Sequence, residues 1–180
     1  MKIARLVILS MSVVAFSLIV LSGFAISQTG VPFALPAGWR LPRPREVAQA
    51  WRSAAATHYL VALGNFSGKE SRDTALLLVL VDGSGAAPFV AMTNGHGETS
   101  FVQVEQTIEK DFLETEGLKL AKPGTYRTAC GKGYGDCGLG EKDSITIPFD
   151  AIEMFKYEGP SRLVYWDAAK KTFAEVWLSD

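Results

Sequence analysis

Histidine and cysteine are scarce in this chain of 180 residues, which contains two of each. The histidines, His58 and His96, are widely separated, whereas zinc sites use three or four His, Cys or carboxylate ligands at closer spacings. We therefore expect no metal site and no cofactor. The 18 basic residues are balanced by 19 acidic ones, so the chain also lacks the basic excess that is typical of nucleic-acid binding.

The motifs of common enzyme classes are missing as well. Ser67 lies one place too late after Gly64 for the Gly-x-Ser-x-Gly turn of serine hydrolases. The glycine-rich tract 131–135 lacks the Lys-Ser/Thr pair and the helix of a phosphate-binding loop. Acids that could form the carboxylate pair of a glycosidase are Glu98, Glu105, Glu109, Asp111, Glu114 and Glu116. Such a density of acids is typical of a solvated face, so a small envelope hydrolase that uses them, with or without His96, is the alternative.

One long apolar run is present, at the N-terminus. Residues 6–27 carry no charge, follow Lys2 and Arg5, and end in the small-x-small sequence Ala-Ile-Ser. A positive start, an apolar stretch and a small-residue end are typical of a secretory signal. A run of about 22 apolar residues could also span a bilayer. We predict that residues 1–27 direct export to the periplasm or outside, and are either cleaved or retained as an inner-membrane anchor, the one case that implies membrane contact.

Prolines are concentrated after this run. Pro32, Pro36 and Pro42 fall within residues 28–43, and proline fixes its own φ and lacks a backbone donor. This composition predicts an extended linker. The remainder, 44–180, is long enough to be a single domain with its own core.

Apolar spacing in that remainder predicts an α+β fold with a mainly antiparallel sheet. A helix is expected over 44–55, where Val47, Trp51 and Ala55 recur at helical spacing, and a short helix over 150–157. Predicted strands cover 58–63, 75–81, 87–92, 100–106, 125–130 and 144–148. The chain is expected to close in a β-hairpin of 162–166 and 172–178, with Glu175 and Trp177 on one face of the last strand.

The two cysteines, Cys130 and Cys137, enclose six residues, three of them glycine. In an oxidising compartment an even pair of this kind predicts a disulfide. Closing so short a loop contributes roughly 2–3 kcal/mol to stability in the chain-entropy model. Two reduced thiols are the alternative, and the spacing differs from the Cys-x-x-Cys of redox-active pairs.

The segment 64–73, followed by the apolar run 75–79, resembles the strand–loop–strand unit of FG-GAP or VCBS repeats. In that unit alternating oxygen side chains surround a calcium ion. The corresponding positions here are Asn65, Ser67, Lys69 and Asp73. Lys69 replaces the central aspartate, and Glu70 replaces the glycine that permits the turn. The resemblance therefore implies a degenerate calcium-type loop that keeps the shape of the unit more than its metal, with the Lys69 ammonium near the ion position.

The wider layout resembles a set of small exported bacterial proteins of unknown function that carry one such loop. The shared segments are Trp-Arg-Leu-Pro at 39–42, the stretch 123–134 around the first cysteine, and the closing hairpin 165–180. The likeness implies an exported protein, and it implies no activity.

These observations favour a non-catalytic exported module that binds a protein or another envelope component. The expected contact surface is the loop between the cysteines, with Lys132 and Tyr134 displayed, together with the loop around Lys69, because tyrosine is frequent in binding hot spots. An inhibitor or immunity protein would belong to this class. A purely structural envelope protein differs only in lacking a specific partner.

Overall fold

The computed structural model describes residues 31–68 and 72–180, and Val31–Asp180 form one compact unit. The architecture is mostly β, with 45% of residues in strands and 10% in short helical turns. Within the described ranges no helix reaches seven residues, so the predicted α+β class is wrong. No helix in these ranges is long and apolar enough to cross a bilayer. The predicted export segment, 1–27, lies outside the described residues.

Across residues 31–68 and 72–180, twelve strands form three antiparallel sheets. They are β1 (Trp39–Arg40), β2 (Val61–Gly64), β3 (Asp73–Leu80), β4 (Gly85–Thr93), β5 (Thr99–Gln103), β6 (Ile108–Glu109), β7 (Glu116–Ala121), β8 (Gly124–Arg127), β9 (Ser144–Ile147), β10 (Ala151–Lys156), β11 (Ser161–Asp167) and β12 (Thr172–Ser179). The first sheet has the order β1-β3-β4-β5, with β2 also on β3 and β6 on β4. The second has the order β12-β11-β10-β7, and β8 and β9 form a separate ribbon.

The first sheet is buried on both faces. Side chains alternate along β3, so Leu77 and Val79 face the second sheet while Leu76 and Leu78 face the opposite side. All four are at most 1% exposed. This two-sided burial explains why β3 reads as a continuous apolar run.

The second sheet lies between the first sheet and the ribbon. One of its faces packs Leu118, Ile152, Met154 and Val164 against the first sheet. Its other face packs residues such as Leu163 against Ile147 and the rest of the β8–β9 ribbon. The ribbon therefore covers part of a sheet that would otherwise be open on that side.

The segment predicted to be an extended linker covers the outer face of the first sheet. Phe33, Leu35 and Leu41 pack on it, as does Trp39, whose ring is edge-on to Phe89 with 4.8 Å between centroids. β1 also pairs with β3. The described part of the segment, 31–43, thus belongs to the compact unit.

The predicted helix over 44–55 is replaced by two short 3₁₀ turns, Pro44–Glu46 and Ala50–Ala54. An amphipathic helix would expose Arg52, but this side chain is completely buried. Its guanidinium donates to the carbonyl oxygens of Leu113 and Glu116 and lies 4.3 Å from the centroid of the Trp51 ring. These tertiary contacts outweigh the local helical spacing.

The predicted helix over 150–157 is also wrong, because this segment is strand β10. It pairs with β7 on one side and with β11 on the other, so it lies inside the second sheet. Ala151, Ile152 and Met154 are buried. Two flanking strands pair with its backbone groups, whereas a helix at this place would leave the facing edges of β7 and β11 unpaired.

Acid should weaken the attachment of the N-terminal cover. Both Arg40 guanidinium nitrogens donate to the Glu46 carboxylate, at 2.7 and 2.8 Å, and with the Arg43 N–H they lower the pKa of Glu46 to about 2. Because this pKa lies below its ordinary value of 4.5, the stabilisation is complete above that value and is lost as the pH falls towards about 2. In Glu46→Gln the free energy of unfolding should fall by about 2 kcal/mol at neutral pH.

Urea denaturation at neutral and acidic pH tests this expectation. The difference between the wild type and Glu46→Gln should shrink as the pH falls. A difference that is independent of pH would contradict the role given to this ion pair.

Removal of the buried guanidinium should destabilise the domain strongly. Arg52→Met leaves the carbonyl oxygens of Leu113 and Glu116 without donors, so we expect a loss of about 3 kcal/mol. Arg45→Met, at an exposed position, is the matched control and should change stability by less than about 0.5 kcal/mol. Thermal unfolding measures both, and equal effects would contradict the assignment.

Candidate functional site

A groove with a volume of about 1080 Å³ runs beside the last strand. Its walls come from β9 at 144–146, from β12 at 175–177 and from the loop that follows β8, at 128–142. We call it the terminal groove. It is larger than the pocket of about 430 Å³ beside Lys156 and Tyr157.

The loop wall is closed by the predicted disulfide between Cys130 and Cys137, whose Cα atoms are 5.0 Å apart. The bond is consistent with an oxidising, exported location. Inside the loop Thr128 is buried, and its hydroxyl donates to the carbonyl oxygen of Lys142 at 2.7 Å. The N–H of Gly131 donates to the same hydroxyl at 3.2 Å. The loop is thereby fastened to the chain that enters β9.

Two further hydrogen bonds fasten the loop to β12. The N–H of Ala129 donates to the carbonyl oxygen of Trp177 at 2.7 Å, and the Lys132 ammonium donates to that of Leu178 at 2.6 Å. Together with the disulfide they leave the loop little freedom relative to the last strand. The groove is therefore a preformed surface.

Exposed aromatic rings lie at the groove. Tyr134 is 55% exposed and Trp177 is 44% exposed, and both line it together with the half-buried Tyr165. The guanidinium of Arg162 lies 5.4 Å from the centroid of the Trp177 ring and helps to hold that ring in place. Large, ordered aromatic side chains with free surface are typical of protein-binding hot spots.

The lining is acidic. The carboxylates are those of Asp136, Glu141, Glu175 and Asp180, and Lys142 is the one basic side chain among the described lining residues. Glu141 has a local role, since its carboxylate accepts the N–H of Gly138 at 2.8 Å. The groove therefore carries an excess of negative charge that favours a cationic partner.

Of the contact residues predicted from the sequence, one lines the groove, one does not, and one lies outside the described residues. Tyr134 lines the terminal groove, whereas Lys132 does not line it and uses its ammonium to hold the loop on β12. Lys69 lies outside the described residues, and its predicted role in contacts remains a prediction. The residues that sequence reasoning missed are mainly those of β9 and β12. The sequence pattern that could have indicated β12 is the placement of Glu175 and Trp177 on one face of the last strand.

The loop that resembles a calcium-binding unit is closed by Asp73, which is completely buried. One of its carboxylate oxygens accepts the N–H of Ser67 at 2.8 Å, and the N–H of Asn65 donates to Asp150 at 2.9 Å. Among the described residues, the other Asp73 oxygen, the Asn65 amide oxygen and the Ser67 hydroxyl are buried and have no hydrogen-bond partner. The position of the Lys69 ammonium near these oxygens remains a prediction.

None of the six acids considered for a hydrolase lines the terminal groove. Glu105 pairs with Arg162, and Glu98 accepts the side-chain amide of Asn94 at 2.8 Å in a turn. Burial raises the pKa of Glu116, whose carboxylate lies inside the domain near Arg162. His96 is exposed in the same turn as Glu98. Glu105 lies near enough to raise the pKa of Glu116 further, but neither acid lines the groove, and Asp111 lines the smaller pocket without another of the six.

Comparisons with protein-family models, curated proteins and solved structures find no match for this chain. In the described ranges no group of three or more His, Cys, Asp or Glu side chains could hold a metal ion. The terminal groove offers aromatic surface, carboxylates and strand edges.

The close packing of the disulfide loop against Asp143 should require glycine at position 131. A Cβ at Gly131 would lie 1.8 Å from the carbonyl oxygen of Asp143, whereas a Cβ at Gly135 would meet nothing within 4 Å. We expect Gly131→Ala to lower the free energy of unfolding by about 2 kcal/mol, since the backbone must move. The control, Gly135→Ala, should change it by less than about 0.5 kcal/mol. Denaturation of both variants with the disulfide intact measures the difference, and similar values would contradict the close approach.

Proposed function

We propose that the chain is an exported, non-catalytic module that binds a protein partner through the terminal groove. The observation that carries this proposal is that two exposed aromatic residues, Tyr134 and Trp177, line one groove beside a disulfide-closed loop. A rigid surface loses little conformational entropy on binding, so more of the contact energy is available as affinity.

The location that fits the proposal is the periplasm or the outside of the cell. The disulfide supports an oxidising compartment, and the N-terminal apolar run predicts export. The run is either cleaved after export or retained as an inner-membrane anchor. An inhibitor or immunity-like role is compatible with a single preformed contact surface.

A small envelope hydrolase that uses carboxylates is the second reading. Its six candidate acids do not line the groove, and the groove's own carboxylates come from different elements, with Glu141 engaged in a local turn. We therefore favour binding over catalysis.

Site-specific photo-crosslinking tests the proposal in the native envelope. A benzophenone amino acid placed at position 134 of the full chain should yield one discrete protein adduct. The matched control is position 157, because Tyr157 is 44% exposed and lies outside the groove. Trp177→Ala, made in the position-134 background, should reduce the adduct by about tenfold or more, as loss of a hot-spot aromatic does.

Two results would contradict the proposal. One is the same pattern of adducts from positions 134 and 157, which would indicate non-specific contact. The other is an adduct at position 134 that is indifferent to Trp177→Ala, which would remove the groove from the interaction.

A further inference from the structure

The outer edge of the last strand is free before Trp177, the residue at which the disulfide loop is attached. Within the described ranges β12 pairs with β11 alone. The carbonyl of Trp177 accepts the N–H of Ala129, so the backbone of Trp177 points away from β11. Backbone groups alternate in direction along an antiparallel strand, so those of Phe173 and Glu175 also point outward. The Trp177 carbonyl is already occupied, so the groups free to pair with another strand are those of Glu175, in the groove, and of Phe173, just beyond it.

The facing wall of the groove has a free edge too. The carbonyl of Asp143 accepts the N–H of Thr128 at 3.1 Å, so Asp143 faces β8. By the same alternation, the backbone groups of Ser144 and Thr146 face away from β8, and both residues line the groove. Hydrogen-bonding backbone is therefore directed outward from two strands that border one groove.

The chemistry of the side chains selects among possible occupants. Glu175, Asp136 and Asp180 are acidic lining residues. Glu175 lies 3.5 Å from the Arg162 guanidinium, and its side chain is still 52% exposed. Trp177 and Tyr134 provide apolar surface next to them. Glu175 and Trp177 lie on one face of β12, so the side chains of an extended peptide that point to this face can meet the carboxylate and the ring in turn.

We propose that the terminal groove binds an extended, basic segment of a partner protein, which adds as a fifth strand to the outer edge of β12. This inference rests on the proposed function and names the chemistry of its partner. Main-chain hydrogen bonds to Phe173 and Glu175 provide affinity, and the alternating rings and carboxylates provide selectivity.

Other classes of ligand would form fewer of these backbone and side-chain contacts. A helix has its backbone groups already paired and would leave the edge of β12 unsatisfied. A glycan could stack on Trp177, but it would not form a regular ladder with the strand. The acidic lining disfavours an acidic segment, because like charges brought together in a groove repel each other.

Peptide titration of the isotope-labelled protein, purified from the envelope in which it accumulates, tests the inference. The probe is the acetylated, amidated hexapeptide Lys-Val-Lys-Val-Lys-Val. We expect it to slow hydrogen exchange of the Phe173 and Glu175 amides about tenfold or more. Its analogue with N-methylated valines, and its analogue with glutamate in place of lysine, should bind about tenfold more weakly or worse. A chitin oligosaccharide serves as the glycan probe.

Two variants separate the edge from the charge. Glu175→Pro removes an outward N–H and should leave the ladder to β11 intact, since proline is tolerated at a free edge. Glu175→Gln removes the same charge and keeps the N–H. We expect Glu175→Pro to weaken binding of the lysine peptide about tenfold more than Glu175→Gln does. The N-methylated peptide makes the same distinction on the wild type, so the test does not depend on the folding of either variant.

Three results would overturn the inference: equal binding of the methylated and unmethylated peptides, equal effects of the two Glu175 variants, or perturbation of Trp177 by the glycan while no peptide protects the edge. A discrete protein adduct at position 134 without edge protection would leave the proposed function standing and remove strand addition. If the peptide protects the Phe173 and Glu175 amides but position 134 yields no protein adduct, the edge of β12 remains a peptide site and the proposed function is wrong.

Discussion

Burial of the first sheet on both faces is the constraint on which the rest of the structure depends. Its central strands, β3 and β4, are apolar on each side, so two different layers must cover them. The second sheet covers one face. The segment at 31–41 covers the other, and the Arg40–Glu46 ion pair holds it at its end. A short strand and a few apolar side chains thereby cover the outer face of the sheet, which a layer of helices covers in many α+β domains.

The order of the second sheet decides where a site can form. β7 and β10 lie near the first sheet's core residues, and β12 is left at the opposite edge. The β8–β9 ribbon packs on the far face of this sheet, where its apolar contacts reach Val176 and Leu178 of β12. The space beside the ribbon, closed by the disulfide loop, becomes the terminal groove. A groove is thus a consequence of covering an antiparallel sheet with a ribbon narrower than the sheet.

Buried charge provides the specificity of this packing. Arg52 satisfies backbone carbonyls that no strand reaches, and its burial lowers its pKa to about 10, so it stays protonated at neutral pH. Arg162 pairs with Glu105 and lies 3.5 Å from Glu175 at the edge of the groove. Glu116 is held inside with a pKa raised by desolvation. Such groups tolerate few alternative arrangements, because an unpaired buried charge is costly.

Sequence patterns predicted those parts of the chain whose structure depends on neighbours in sequence. The strand pattern of β3 and β4 and the terminal hairpin follow from apolar runs and turn residues. The disulfide follows from an even cysteine pair around a flexible tract. Tyr134 was selected for the same local reason, since it lies on that loop.

Tertiary structure decided what local spacing could not. The residues at 44–55 and 150–157 have helical spacing, yet Arg52 is drawn into the interior by distant carbonyls and β10 is enclosed by two strands. Spacing along a chain cannot predict which strand edge stays free or which loop lies beside it, because these depend on contacts between segments far apart in sequence. The sequence by itself thus determined the apolar strands β3 and β4, the terminal hairpin and the disulfide. Only long-range packing placed β10 inside a sheet and brought Trp177, Ser144 and Tyr134 to one groove.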